Sequence, residues 1–156
     1  MKINIRQLEK KSIAERIFVL AAIMESFANQ RILKPQGLSF SGYKILAMLD
    51  RYKKLPFNDI MDCLNSTKSN LSQRIKHLEK KRYVKKFHQK NNKDKRMIAI
   101  EMTAFGKKKF KAAQSEIEKS ALVIESYLGD EDISRFNVFF KKLFPYLIES
   151  KNQDMK

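Results

Sequence analysis

Apolar residues recur at helical spacing through the first part of the chain. From about Leu8 to Leu33 they return every three or four positions and drift slowly around the axis, which predicts one long first helix. That helix is expected to end at Lys34, because the following Pro35 disfavours the helical conformation there and Gly37 tolerates a turn.

Three shorter helices are predicted next. Ser39 is placed to cap the second helix, and Pro56 suits the first turn of the third. The Asn-Ser-Thr run at 65–67 can cap the fourth helix, which extends from about Lys68 to Lys81. Apolar residues at i, i+4 and i+7 of this helix predict a buried stripe formed by Leu71, Ile75 and Leu78.

The spacing changes to alternation after the fourth helix. Residues 83–88 are rich in strand-forming types, and apolar residues alternate from Arg96 to Met102, with a polar turn segment between the two runs. These segments predict a β-hairpin with a basic tip. Thr103 is then placed to cap a fifth helix, which Gly129 separates from a sixth. The expected fold class is mainly α with one small β-hairpin.

Positive charge is concentrated in the segment that contains the fourth helix and the hairpin. Between Lys68 and Lys111 stand sixteen basic and three acidic residues, a net charge of +13 out of +16 for the whole chain. Charge gathered in this way favours a surface that binds a polyanion, above all duplex DNA. The alternative is that the lysines only solvate helix faces.

The face of the fourth helix opposite its buried stripe is polar. Asn70 and Gln73 suit adenine edges in a major groove, whereas Lys68 and Arg74 suit guanine or phosphate. Two short helices, a turn and a basic hairpin in this order predict a winged helix-turn-helix. An ordinary amphipathic helix with a solvated face is the alternative. At about 100° per residue, the residues directly opposite the stripe are Ser69, Gln73 and Lys76.

Five motifs stand in the order in which a known family has them. They are Leu38-Ser39 through Leu46, Thr67-Lys68-Ser69-Asn70-Leu71-Ser72, Leu78-Glu79-Lys80-Lys81, Asp94-Lys95-Arg96 and Thr103-Ala104-Phe105-Gly106. In these motifs the chain resembles the MarR family of bacterial winged-helix transcription regulators. The resemblance covers nearly the whole chain. It departs from the family at Arg82, where glycine is common, at Met102, where leucine is usual, and at Pro145 within the last helix.

The resemblance implies a homodimer that binds a pseudo-palindromic operator and controls transcription, most often by repression. It implies dimerisation helices in residues 1–35 and 112–156 and a winged helix-turn-helix in residues 36–111. In the family, the wing arginine that corresponds to Arg96 enters the minor groove, and the acid that corresponds to Asp94 holds it in place. The predicted DNA-binding residues are Ser66, Thr67, Lys68, Ser69, Asn70, Ser72, Gln73, Arg74, Lys76, His77, Lys93, Asp94, Lys95 and Arg96.

A small-molecule effector is also implied by the resemblance. Family members commonly bind small, often anionic or aromatic molecules between the dimerisation helices and the winged domain. Phe27, Tyr43 and Phe110 are candidates to line such a cleft, although such aromatic residues are more often part of the core. Neither the operator nor the effector follows from the sequence.

Other function classes find little support in the residues. The sequence shows no Ser/His/Asp set, no glycine-rich phosphate loop and no paired carboxylates in one plausible pocket, so neither an enzyme nor a cofactor is expected. His77 and His88 lie on different elements, which argues against a metal site. Cys63 is expected beside the apolar stripe of the third helix as a small hydrophobic residue, and a redox switch is the alternative.

The longest apolar run has eight residues, against about 20 for a membrane-spanning helix. We therefore expect a cytoplasmic protein.

Two alternatives to a regulator remain at this point. One is a sequence-neutral architectural DNA-binding protein. The other is an interaction protein that has lost DNA binding, which the net charge of +13 between Lys68 and Lys111 disfavours.

Overall fold

The computed structural model describes the backbone of residues 5–91 and 94–153 and the side chains of residues 6–87 and 98–150. The chain divides into two compact units, Met1–Glu116 and Ile117–Lys156. The elements in chain order are α1 (Ile5–Leu8), α2 (Ile13–Phe27), a π-helical segment (Ala28–Leu33), a 3₁₀ turn (Lys34–Gln36), α3 (Phe40–Tyr52), β1 (Lys54–Pro56), α4 (Phe57–Cys63), α5 (Lys68–Lys80), β2 (Val84–Asn91), β3 (Asp94–Met102) and α6 (Ala104–Gln153).

The long first helix predicted from Leu8 to Leu33 is wrong in its extent. Helix α1 stops at Leu8, and α2 begins only after Ser12, which forms a capping box with Glu15. The Ser12 hydroxyl accepts a hydrogen bond from the Glu15 backbone N–H at 3.2 Å, and the Glu15 carboxylate accepts one from the Ser12 N–H at 3.0 Å. Reciprocal capping satisfies the free N–H groups of a helix start, so a new helix begins at this point.

Helix α2 also ends earlier than predicted. From Ala28 to Leu33 the backbone follows a π-helix, and a 3₁₀ turn follows before Gly37, whose φ of 72° reverses the chain. Within the π segment, the side-chain oxygen of Asn29 accepts a hydrogen bond from the backbone N–H of Phe40 at 3.0 Å. Asn29 therefore helps to hold the start of α3 at a fixed distance from the end of α2.

The core of the first unit lies between α3, α4, α5, the sheet and the start of α6. Ser39 caps α3 as predicted, because its hydroxyl accepts a hydrogen bond from the Gly42 N–H at 3.1 Å. The stripe predicted on α5 is confirmed, with all three of its residues buried. The buried apolar side chains are Leu33, Leu38, Ile45, Leu46, Leu49, Ile60, Leu71, Ile75, Leu78, Tyr83, Val84, Ala99, Ile100, Phe110 and Ala113.

A three-stranded antiparallel sheet, with strand order β1-β3-β2, replaces the simple hairpin that was predicted. Strands β2 and β3 form that hairpin, with Val84 opposite Met102 and Phe87 opposite Ala99. Strand β1 adds Leu55 opposite Ile100 on the other side of β3. Three residues are too few to show alternation in a sequence, and the partner strand lies far along the chain, so the pattern gave no sign of β1.

The connection from α5 to β2 and the start of α6 are tied together. Arg82 has a φ of 59°, a left-handed conformation in which side chains are disfavoured. The hydroxyl of Thr103 donates to the backbone carbonyl of Arg82 at 2.6 Å and accepts from the N–H of Gly106 at 2.9 Å. A Cβ atom at Gly106 would overlap the backbone carbonyl of Tyr83. The Thr103–Gly106 turn therefore lies directly against the backbone at the end of α5.

The second unit consists of helical residues with little burial. Gly129, with φ 75° and ψ 168°, interrupts α6 where the sequence predicted a break. Large apolar side chains of the last helix are mostly exposed, and Phe136, Phe140 and Phe144 form a stacked row along one side. Among the residues described, no helix is long and apolar enough to span a membrane.

Candidate nucleic-acid interface

Helix α5 presents the polar face that the sequence predicted. Thr67 caps the helix by accepting a hydrogen bond from the Asn70 N–H at 3.3 Å, so its hydroxyl already has a structural role. Ser66 and Arg74 are half-buried. The predicted site residues that are exposed on and beside this helix are Thr67, Lys68, Ser69, Asn70, Ser72, Gln73, Lys76 and His77.

One flank of α5 adjoins the sheet. The Lys86 ammonium on β2 lies 2.7 Å from the Glu79 carboxylate on α5. On the outer face of the sheet, Lys54 and Lys85 place their ammonium groups 4.4 and 4.8 Å from the centre of the Phe87 ring. These lysines add positive charge beside the hairpin. The sequence-based site omitted Lys54 because it missed the strand to which this residue belongs.

The opposite flank of α5 adjoins the beginning of α3. Gly42 permits the close approach of the two helices, since a Cβ atom there would lie 3.3 Å from a methyl carbon of Leu78. Beside this contact lies a surface groove of about 190 Å³, called here the α3–α5 groove. It is lined by Ser39, Gly42, Gln73, Arg74, His77 and Leu78.

The C-terminal end of α5 is held to the turn that precedes α3. The Lys81 ammonium donates to the carbonyl of Gly37 at 2.5 Å, and the Tyr83 hydroxyl is 3.4 Å from the carbonyl of Gln36. Together with the ion pair to β2 and the packing against Gly42, these contacts fix how α5 is presented. A helix held on both flanks and at its end can offer its polar face to a partner without reordering.

The predicted wing residues fall at the edge of what the structure describes. Lys93 lies outside the described residues. The backbone of Asp94, Lys95 and Arg96 belongs to β3, and Asn91 pairs with Asp94 across the hairpin, but the side chains of these three residues also lie outside the description. The orienting role expected of Asp94 toward Arg96 therefore stays a prediction.

The structure also describes the surroundings of Cys63 and of the three aromatic residues suggested for an effector cleft. Cys63 is exposed at the last position of α4, whereas Ile60 of the same helix is buried. The ring of the partly buried Tyr43 packs against the ring of the buried Phe110 with the two centroids 5.2 Å apart, whereas Phe27 is half exposed. No group of three or more potential metal ligands occurs among the side chains described.

A second groove, of about 240 Å³, lies between the end of α3, β3 and the start of α6. Its lining has mixed charge, with Asp50 and Glu101 opposite Lys53 and Lys107. The Asp50 carboxylate is paired with Lys111 at 3.1 Å. This groove therefore does not add to the positive surface around α5.

Solved structures with the same fold include regulators bound to DNA. The MepR–DNA complex from S. aureus has 20% sequence identity and a TM-score of 0.71, covering 88% of this chain and 99% of that chain. A cysteine-to-serine variant of MarR from E. coli complexed with operator DNA has 15% identity and a TM-score of 0.69, covering 84% of this chain and 92% of that chain. Another crystal structure of the same MarR variant has a TM-score of 0.77 at 15% identity, covering 86% of this chain and 98% of that chain.

These similarities confirm the fold that the resemblance to MarR-family regulators implied. Among curated proteins, none matches the sequence of this chain. A family model described as a winged helix DNA-binding domain matches residues 43–120, which include most of α3, all of α4 and α5, the sheet, and the first turns of α6. The matched segment contains the exposed polar face of α5 and the hairpin beside it. The chain belongs to the winged helix DNA-binding domain family.

Proposed function

We propose that this chain is a transcription regulator that binds a pseudo-palindromic operator in duplex DNA as a homodimer. The proposed effect of binding is repression of transcription. The observation that carries the proposal is the exposed polar face of α5, which is rigidly held and flanked by a basic hairpin. The structures of MepR complexed with DNA and of a MarR variant complexed with operator DNA support the same class of partner.

Helix α5 is proposed to lie in the major groove. Its N-terminal half has small and amide side chains exposed, among them Ser69, Asn70 and Gln73. An amide can pair with an adenine edge through two hydrogen bonds, and each such pair contributes about 1–3 kcal/mol of discrimination. Replacing either amide by alanine should therefore weaken operator binding more than binding to random DNA.

The hairpin is proposed to reach the adjacent minor groove. Positions 94 and 96 are two apart in β3, and alternate residues of a strand point to the same side. An Asp94 carboxylate beside Arg96 would restrict the guanidinium to the orientation that a narrow minor groove requires. A measured gain in operator affinity for Asp94→Ala would reject this orienting role, because simple charge attraction predicts such a gain.

A homodimer is proposed because two regions expose large apolar side chains. In α2, seven of them are between one third and three quarters exposed, and the second unit has a longer set. Monomers rarely leave so much contiguous apolar surface in water. Residues 1–35 and 112–156 are therefore the proposed dimerisation regions, and 36–111 the DNA-binding region. The exposed residues of α2 are Ile13, Ile17, Phe18, Leu20, Ile23, Met24 and Phe27.

The test is selection of duplexes from a random pool by the purified chain, followed by sequencing. We expect enrichment of one inverted repeat whose half-sites are about 34 Å apart, or a multiple of that distance. Affinity should fall steeply with salt, with a log–log slope near −7 if a dimer neutralises about 8 phosphates. Equal affinity for selected and random duplexes would support the architectural alternative and contradict a sequence-specific regulator.

The effector implied by the family resemblance stays a prediction. Phe110 is buried and the partly buried Tyr43 packs against it, whereas Phe27 is half exposed. Thermal melts with a panel of small aromatic acids would test for a ligand, because a molecule that binds the folded state raises its melting temperature.

A further inference from the structure

We propose that the α3–α5 groove binds one backbone phosphate of each DNA half-site, and that the Arg74 guanidinium is its principal ligand. The inference rests on the proposed function and makes it specific, because it assigns one side chain of the recognition helix to the DNA backbone and not to a base. The sequence alone left both roles open for Arg74.

The chemistry of the groove favours an anion. Its six described lining residues include a guanidinium, an imidazole, an amide and a hydroxyl, and none is acidic. The groove is open to solvent along the same side of α5 that carries the exposed Gln73 and His77. A ligand of one negative charge would therefore meet hydrogen-bond donors and no opposing carboxylate.

Among the lining residues, Arg74 gives the strongest evidence for a bound anion. It is half-buried, and it has no hydrogen bond or ion pair with any residue whose side chain the structure describes. A partly desolvated charge without a counter-charge is unfavourable, which makes an incoming anion favourable at this position. The planar guanidinium matches two oxygens of a phosphodiester with parallel hydrogen bonds.

The position of Arg74 on the helix favours the backbone over the bases. It stands three residues after Leu71 and directly before Ile75, both fully buried, so it flanks the buried stripe. Gln73 stands opposite that stripe. When the polar face of a helix lies on the floor of a major groove, its flanks face the phosphate walls. Arg74 is therefore directed to a phosphate and Gln73 to a base edge.

The experiment combines protein variants with a chemically neutralised backbone. The probe is the inverted-repeat duplex enriched by the wild-type chain, prepared as a series in which one phosphate per half-site is replaced by methylphosphonate. Arg74→Met keeps the aliphatic stem and removes the charge. Lys76→Met is the matched control, because it removes one charge from the exposed polar face of the same helix.

We expect one phosphate position at which neutralisation weakens wild-type binding by about tenfold or more, yet leaves the already weakened binding of Arg74→Met unchanged. Lys76→Met should retain the full response at that position. Arg74→Met should also weaken binding to selected and random duplexes by the same factor and reduce the magnitude of the salt slope by about 2 for a dimer. Arg74→Lys should recover only part of the loss, because an ammonium lacks the planar fork.

Several results would overturn the proposal. One is a loss for Arg74→Met that is confined to the selected duplex and coupled to no phosphate, which would make Arg74 a base-reading residue. Another is that free inorganic phosphate at micromolar concentrations competes with DNA for the wild-type chain but not for Arg74→Met, which would make the groove a small-anion site. An unchanged affinity of folded Arg74→Met, with folding checked by circular dichroism, would exclude any ligand role. Failure of the proposed function is distinct from all of these, since the wild-type chain would then enrich no duplex at all.

Discussion

Helices α2 and α3 are of similar length, at 15 and 13 residues, and differ sharply in burial. Helix α2 has the larger share of apolar residues, yet none of them is buried. Helix α3 buries Gly42, Ile45, Leu46 and Leu49 against the rest of the winged region. The second unit resembles α2 in this respect, since its large aromatic side chains are exposed.

The difference shows what an apolar periodicity means. It indicates that a helix has a face to be covered, and it does not indicate whether the cover comes from the same chain or from a partner. In the winged region the cover is intramolecular, because α5, the sheet and the start of α6 supply it. For α2 and the second unit we propose a second copy of the chain.

Among substitutions in the winged region, we expect Gly106→Ala to cause the largest loss of stability. A Cβ atom at this position would overlap the carbonyl of Tyr83, so the turn at the start of α6 must move away from the end of α5. We expect a loss of about 3 kcal/mol or more in the free energy of unfolding, measured by urea denaturation. The control is Gly129→Ala, where nothing lies within 4 Å and the cost is conformational, about 1–3 kcal/mol, because φ 75° with ψ 168° is a region that essentially only glycine adopts. Equal losses would contradict the close packing at Gly106.

The complementary change places a charge on the apolar surface that is proposed to be covered by a partner. Phe140→Asp should weaken dimerisation on the order of 100-fold, because an aromatic side chain that the partner is proposed to bury is replaced by a carboxylate. Light scattering across a concentration series measures the shift. Asn137→Asp adds the same charge at an exposed polar position of the same helix and serves as the control. A wild-type chain that is monomeric at micromolar concentration would remove the basis of this prediction.

The winged region was largely predictable because its patterns are local. The stripe on α5, the caps at Ser39, Thr67 and Thr103, and the alternation in β3 each lie within a dozen residues. The start of α2 after Ser12 could also have been predicted, since Ser12 and Glu15 have the spacing of a capping box. The apolar periodicity that continues through this point suggested a single helix instead.

The features that sequence reasoning missed depend on distant residues. Strand β1 exists because β3 lies beside it, and the α3–α5 groove exists because Gly42 and Leu78 approach each other. The exposure of Cys63 likewise depends on how α4 is oriented in the fold. Local periodicity contains none of this information.

Within the winged region, Arg82→Gly should have a smaller and opposite effect to Gly106→Ala. Arg82 has a φ of 59°, which a residue with a side chain adopts at some cost and glycine adopts freely. We expect the free energy of unfolding to rise by up to about 1 kcal/mol, since the relief of strain is partly offset by the greater freedom of glycine in the unfolded chain. Arg82→Ala keeps the strained conformation and should bring no gain. A gain with alanine as well would mean that the arginine side chain itself is unfavourable.

The smallest expected effect concerns the start of α2 and depends on pH. Hydrogen bonds from the Ser12 backbone, and then from Lys11 and the Ser12 side chain, hold the pKa of the Glu15 carboxyl below its usual range. A lowered pKa means that the ionised cap stabilises α2 above about pH 4.5 and that this contribution is lost as the pH falls through the lower folded-state pKa. The protection factors for hydrogen exchange at the first turn of α2 should therefore fall on acidification, once the observed rates are corrected for the pH dependence of intrinsic exchange. Glu15→Gln can form the same box without titrating, so its exchange should lack this transition.

The pairing of β1 with β3 also bears on how the chain folds as it is made. Residues 54–56 find their partners only at 99–101, so a nascent chain that has emerged as far as the end of α5 can form helices but cannot complete the sheet. Contacts between such distant segments slow folding, because a long loop must close before they form. Until Met102 has emerged from the ribosome, Ile100 is not in place to cover the core, and the apolar sides of α3 and α5 remain open to association with other chains. The winged region is thus assembled late in synthesis, when its last strand closes it.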